Sequence, residues 1–355
     1  MTRPYHIMCA GLATLLASCL CVGNDPVKAQ VQTAEQFYTG RTVNLIVPST
    51  PGGAYDISAR LVARHLGRHV PGKPSIVVQN QSGGAAGIVL ANRFGNTTET
   101  DGTLIAGMLR SVPQFAIMGD PNARFDPLKL EWLGSISSFA TDAYVLLANT
   151  DGKVRSLDAF TKAGEKVHLG ANRSGSTNLT FALILKEVYK YNVDIVRGFP
   201  GAADVMLAQL RGEVDAQHID FSAILAGQKD IWAAGKLKVL IQFARTTRLP
   251  ELAEAPIGRE LLTDPKDRAL LEFAELPFFM GFPFVAPART QPERLAALRR
   301  GFDAMIADPG FREDAARLSF PLSPIDGAAV KLLVEQTAAT PKDVIARFKA
   351  LLDQQ

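Results

Sequence analysis

Cysteine is missing from all but the first 21 residues of this 355-residue chain; Cys9, Cys19 and Cys21 are the only three. A chain processed beyond them can form no disulfide, use no thiol nucleophile and build no cysteine metal site. An excess of either charge is also missing. The 38 basic and 35 acidic residues leave a net +3, and the basic ones are scattered, which argues against nucleic-acid binding. The sequence has no G-x-S-x-G elbow and no G-x-x-x-x-G-K-[ST] phosphate loop; Gly72-Lys73 and Gly235-Lys236 are isolated pairs. Beyond the N-terminal segment the histidines are His65, His69, His168 and His218. His65 and His69 share one helix face but lack the Glu of H-E-x-x-H and a nearby third ligand, so a solvated face is expected and no metal. A Ser/His/Asp triad is spatial and spacing does not exclude one, but no serine here sits in the local sequence of an activated nucleophile. No cofactor is expected.

The N-terminus has the anatomy of an export signal. Arg3 opens it, an apolar stretch runs from Ile7 to Val22, and Val27-Lys28-Ala29 offers a small-residue cleavage pattern before Gln30. The stretch is short for a membrane span, which needs roughly 20 apolar residues, and no later segment is long enough. Residues 1–29 are therefore expected to be a signal peptide, and the mature chain an exported, periplasmic protein. Leu16-Ala17-Ser18-Cys19 resembles a lipoprotein cleavage box, so lipid anchoring at Cys19 is the alternative. Leu20, Cys21 and Val22 are too apolar for the usual polar tether.

What the chain does have is a core and an alternating pattern. Apolar residues make up 47% and charged residues 21%, and the length suits two ordinary domains. Strands are predicted at Thr42–Pro48, Ser75–Asn80 and Leu104–Leu109, with helices at Tyr55–Val70 and Gly84–Phe94 between them. This βαβαβ order predicts a parallel sheet covered on both faces. Residues 111–128 carry three prolines and read as a break. Strands at Trp132–Ile136 and Tyr144–Ala148 lead to a second set at Val167–Ala171, Asp194–Phe199, Ala216–Ile219 and Leu237–Phe243. Helices are expected at Thr177–Tyr189, Ala203–Arg211 and Ala223–Ala234. A charged stretch, Thr246–Glu275, contains a short helix near Lys266–Phe273. A late strand, Phe282–Ala286, precedes helices at Pro292–Ala307, Gly310–Leu318 and Ala328–Leu352.

Four short segments lie where a predicted strand hands over to a helix. They are Pro48–Asp56, Ser82–Gly87, Asn172–Thr177 and Gly198–Asp204. A helix start offers unpaired N–H groups and the positive end of its dipole, and glycine lets backbone approach a ligand. Several such starts together would hold a small anion without a catalytic side chain. In the first, Ser49, Thr50 and the amides of Gly52, Gly53 and Ala54 are the candidate donors, and Asp56 falls in the first helical turn, where it also complements the dipole. In the second, Ser82, Gly83, Gly84, Ala85 and Gly87 are candidates. Gly84-Ala85-Ala86-Gly87 resembles part of a dinucleotide fingerprint, but Ser82 stands where its first Gly belongs and no acidic residue follows at the right distance. In the third, Ser174, Ser176 and Thr177 outnumber what one N-cap needs. In the fourth, Gly201, Ala202 and Asp204 are candidates, although the segment would also serve as a plain connector. Arg110, Arg173 and Arg197 lie at or beside strand ends, where each could pair a carboxylate or stand as a surface arginine.

The order Pro51-Gly52-Gly53-x-x-Asp56-x-x-Ala59-Arg60, then Asn80, the Gly83–Gly87 loop and Asp101-Gly102-Thr103-Leu104 resembles the receptors of tripartite tricarboxylate transporters, the TctC or Bug family. Gly170-x-x-x-x-Gly175-Ser176 and Arg197-Gly198-x-x-x-Ala202 are similar to that family's second-lobe signatures. The match runs in order from about Phe37 to Phe221. The resemblance implies an α/β, two-lobed periplasmic-binding-protein fold, type II-like, with the ligand in a cleft between lobes as in a flytrap. It implies a first lobe over 38–140, with 276–355 packing back on it, and a second lobe over 141–275. It implies a small organic anion, a di-, tri- or other carboxylate, delivered to membrane permease subunits. Ligand contacts would fall on the four segments above. Ser82 replaces a usual Pro, Arg173-Ser174 a Pro-Gly pair, and Arg197 a common Lys, all within segments that choose the ligand. An exported hydrolase or lyase acting on a carboxylate is the alternative, and a receptor that signals to a sensor is another.

Overall fold

The computed structural model describes residues 32–81, 86–162, 164–173 and 175–354. The predicted segments Ser82–Ala85 and Ser174 therefore lie outside the described residues, as do the leader and its cysteines.

Two sheets carry the chain. The first is six-stranded and the second five-stranded. In the first, β1 (Thr42–Val47) pairs in parallel with β2 (Ser75–Asn80) and β3 (Leu104–Gly107). This is the parallel core that the βαβαβ pattern predicts. Its other half is antiparallel: β10 (Pro283–Ala286) lies between β3 and β4 (Glu131–Ser135), and β11 (Ile325–Asp326) pairs with β4. The second sheet joins β6 (Val167–Asn172) in parallel with β7 (Val193–Phe199) and β8 (Ala216–Asp220). Antiparallel to β8 and to β9 (Leu237–Phe243) runs β5 (Tyr144–Asn149). The residues of β5 from Tyr144 to Ala148 are all buried, as a central strand covered on both faces requires.

The helices follow their apolar faces. Ala54–His69 buries Leu61, Val62 and Leu66 on the first sheet. Pro292–Ala307 packs on that helix, where a Cβ on Gly301 would lie 2.7 Å from Val70 Cγ2, so the small residue sets the approach. Gly327–Ala338 covers β4. Lys342–Leu352 lies elsewhere: Val344, Phe348 and Leu351 join the core of the second sheet, against the helices Thr177–Glu187 and Pro265–Glu275.

Three expectations need correction. The stretch 111–128 is not simply a break, because Val112–Ile117 is a helix with Pro113 in its first turn, where a missing N–H costs nothing. Ala328–Leu352 is two helices, divided where Pro341 cannot continue the first. Ala223–Ala234 is likewise two, Phe221–Gly227 and Lys229–Ala233.

The strands cross between the sheets through 136–143 and again through 244–282, and the last helix returns to the second sheet after Ala338. Arg245, buried at the start of the return, ties the two crossings together. Its Nη1 donates to the carbonyl oxygens of Phe139 (2.9 Å), Ala140 (3.1 Å) and Asp142 (2.7 Å).

Candidate functional site

A cavity of about 330 Å³ opens where the carboxyl ends of β3, β6 and β8 face one another across the two sheets. Ligands in open α/β sheets bind in this position. Ala54, Tyr55, Arg110 and Gln114 line it from the first-sheet side, Gly175, Thr177, Thr180, Phe181 and Asp220 from the second, and Phe278 and Phe282 from the return crossing and β10's approach.

Arg110 is the cation of this cavity. Its guanidinium lies over the ring of Phe278 at 4.0 Å and that of Phe139 at 5.2 Å, so aromatic faces hold the charge while its N–H groups stay available. Its backbone N–H donates to Tyr55 Oη (3.2 Å), and that hydroxyl donates to the Gly281 carbonyl (3.3 Å). Gln114 reaches across from the first-sheet side and donates through Nε2 to the Phe273 carbonyl (2.6 Å).

The opposite wall carries Asp220, at the end of β8. Its Oδ1 is buried and has no hydrogen-bond partner. Burial pushes its carboxyl up to about 6; Arg110 opposes the rise and Asp142 adds to it. Two residues earlier and on the same face, His218 sits among Tyr144, Phe181 and Phe243, with neither ring nitrogen partnered. Burial alone pushes it down to about 3, so it is a neutral member of an aromatic cluster at neutral pH.

The first predicted loop is a self-latched structure. Asp56 accepts from the Gly52 N–H (2.8 Å), Arg60 Nε (2.9 Å) and Asn80 Nδ2 (2.8 Å), and Asn80 Nδ2 also donates to the Ser49 carbonyl (3.0 Å). Burial raises the Asp56 carboxyl, but these donors outweigh it and hold the group at about 2. Ser49 Oγ donates to the Thr50 carbonyl (2.9 Å), and Gly52 takes φ +82°, which glycine adopts without strain. Of this loop, Ala54 and Tyr55 border the cavity; Ser49, Thr50, Gly52, Gly53 and Asp56 shape the turn that presents them.

The other candidates divide. Gly87 is buried, and a Cβ there would meet Leu109 Cδ1 at 2.7 Å, so its absent side chain lets the helix Ala86–Asn96 approach the end of β3. Ser176 Oγ donates to Asn178 Oδ1 (2.8 Å), which also accepts the Asn172 N–H (3.1 Å); this closes the third loop on itself and leaves Gly175 and Thr177 on the cavity. Arg173 is exposed and does not border the cavity. Gly201, Ala202 and Asp204 begin the helix Ala202–Leu210 away from it, the Asp204 N–H donating to the Gly201 carbonyl (3.1 Å). Arg197 Nη1 donates to the Gln354 carbonyl (2.8 Å). Ser82, Gly83, Gly84, Ala85 and Ser174 lie outside the described residues.

Three cavity groups lacked a signal in the loop motifs: Tyr55, Phe278 and Asp220. Asp220 alone had a readable one, a single acid ending an apolar strand just before a helix. The expectation for His65 and His69 is corrected. His65 is buried, with Nε2 2.6 Å from Asp314 and its ring edge on Phe311, and His69 pairs with Asp308 at 2.8 Å. The helix Pro309–Arg317 and the residue before it supply the acids, which sequence spacing does not reveal. Among the described residues no cluster of three or more metal-ligating side chains occurs.

A larger cavity, about 790 Å³, runs along the crossings, but its cations are committed. Arg245 holds backbone carbonyls, and Arg259 Nη2 pairs with buried Glu275 at 2.6 Å. The smaller cavity has the uncommitted cation and the strand ends.

Comparison with known proteins finds relatives by sequence and by fold. Protein BugT of Bordetella pertussis (strain Tohama I) is 27% identical over 273 residues, covering 74% of this chain and 76% of that one. A TctC solute-binding protein from Polaromonas superposes with a TM-score of 0.67 at 18% identity, over 90% of this chain and 100% of that one. MatC from Rhodopseudomonas palustris, solved with bound malate, gives 0.56 at 19% identity, over 88% and 99%. These likenesses establish the two-lobed fold of periplasmic binding proteins. The family described as the tripartite tricarboxylate transporter family receptor, TctC, matches residues 59–349. The chain belongs to the TctC family of solute-binding receptors.

Proposed function

We propose that this receptor captures a small organic carboxylate in the cavity between its sheets and delivers it to the membrane subunits of a tripartite tricarboxylate transporter. One observation carries the reading: Arg110, three residues beyond the end of β3, stacks its guanidinium on Phe278 and faces a cavity lined from both sheets. A carboxylate fits that fork in bidentate fashion. The amides around Ala54 and the hydroxyls of Thr177 and Thr180 supply further polar contacts. Contact with both walls favours the closed arrangement of the lobes, with the clasped crossings as the hinge. Residues 1–29 direct export to the periplasm. The protein binds its ligand and does not transform it. MatC, a relative by fold, was solved with malate, a carboxylate of suitable size for the cavity described here.

Titration calorimetry against C4–C6 di- and tricarboxylates and aromatic acids tests the reading. Saturable binding of at least one, weakened about tenfold or more by Arg110→Ala, is expected. No heat of binding from any carboxylate would remove it.

A further inference from the structure

An aspartate that precedes a helix ordinarily caps it, accepting from the N–H two or three residues on. Asp220 precedes the helix Phe221–Gly227 and makes no such bond. The cap comes from the first crossing. Asp142, just before β5, accepts from the Ser222 N–H (3.0 Å), from Ser222 Oγ (2.5 Å) and from the Ala143 N–H (2.8 Å). The Asp220 carboxyl is thereby left to face the cavity, with Oδ1 buried and unpartnered. A buried acceptor without a donor is costly and rare in a folded protein. Arg110 faces the same cavity from the other wall, over Phe278.

The two walls thus differ in what they lack. The first offers donors to an anion, and the second offers an acceptor that needs a donor. We propose that Asp220 reads a hydrogen-bond donor on the ligand, so that the receptor takes a carboxylate bearing a hydroxyl or ammonium group in preference to an unsubstituted one. This rests on the carboxylate reading above and narrows its ligand class. The ligand's carboxylate engages Arg110, and its O–H or N–H donates to Asp220 Oδ1. An unsubstituted chain would leave that oxygen buried without a partner in the closed state, a penalty that a site built to accept a hydrogen bond imposes on analogues lacking the donor.

Matched ligand pairs on the full-length receptor provide the test: succinate against malate and aspartate, and adipate against 2-aminoadipate, by calorimetry. The donor-bearing member is expected to bind about tenfold tighter or more. In Asp220→Ala the two members should bind within about twofold of each other. Asp220→Asn keeps a carbonyl acceptor without charge, so it should retain a preference for malate and lose that for aspartate; it also stands in if the alanine variant fails to fold. Equal binding of all members by the wild type overturns this inference and leaves the carboxylate reading standing. So does an unchanged preference for aspartate in Asp220→Asn. Binding of none of these acids overturns this inference, and binding of no carboxylate in the wider screen overturns both.

Discussion

The two walls of the cleft each place an aspartate where a strand gives way to a helix, and the surroundings make them opposites. Asp56 is buried among three donors, the Gly52 amide, Arg60 and Asn80, and its carboxyl is held at about 2. Asp220 is half-buried, with Oδ1 itself buried and unpartnered, and its carboxyl rises to about 6. Burial alone does not decide the ionisation of a carboxyl; the donors supplied with it do. One aspartate builds a loop, and the other is left for something the protein does not itself contain.

The contrast can be broken from either side. The largest effect is expected from Asp56→Ala, which strands the Gly52 amide and Asn80 in a partly buried loop. A loss of about 2–4 kcal/mol is expected in urea unfolding. A loss below about 1 kcal/mol would mean that solvent replaces the latch.

Next comes pH. Between about pH 4 and 6 the folded state holds the Asp220 proton more tightly than the unfolded chain, so the ionised carboxyl costs stability above about pH 6 and none below about pH 4. Asp220→Asn should therefore match the wild type near pH 4 and exceed it by up to about 2–3 kcal/mol at pH 7. Asp56 works in the reverse sense: its contribution is present above about pH 4 and is lost as pH falls toward 2. Unfolding curves of the two variants across pH 3–8 should diverge from the wild type in opposite directions.

Arg110→Ala should weaken carboxylate binding by roughly tenfold to a hundredfold, with Arg110→Lys recovering part of it, because a lysine keeps the charge without the planar fork. The smallest effect belongs to Ser176→Ala. The hydroxyl bonds Asn178 within its own loop, so a stability loss of about 1 kcal/mol is expected with affinity changed less than about threefold. A large affinity loss there would move the serine from the scaffold to the ligand.

The sequence was most legible where one periodicity ran uninterrupted. Ser75–Asn80, Leu237–Phe243 and Pro292–Ala307 have the predicted bounds, because an alternating or continuous apolar strand and a Pro-initiated amphipathic helix each mark their own ends. Arg110 was legible as a cation just beyond the third strand, which ends at Gly107. The insertion of β10 between β3 and β4 was not, since nothing local specifies a partner some 180 residues away. The loops drew attention to Gly, Ser and Thr, yet much of that chemistry closes the loops on themselves. The side chains that face the cavity, Tyr55, Phe278 and Asp220, come from the first turn of a helix, the return crossing and a strand end. Only the fold brings these together.

The cap supplied by Asp142 has one more consequence. A helix usually constrains the residue before it, so changing that residue risks the fold. Here the helix after β8 is capped from elsewhere, and position 220 is relieved of that duty. Its side chain is not needed to cap that helix. That leaves a place on the cleft wall where a new ligand preference can be tried by single substitution, with foldability set aside as a separate matter.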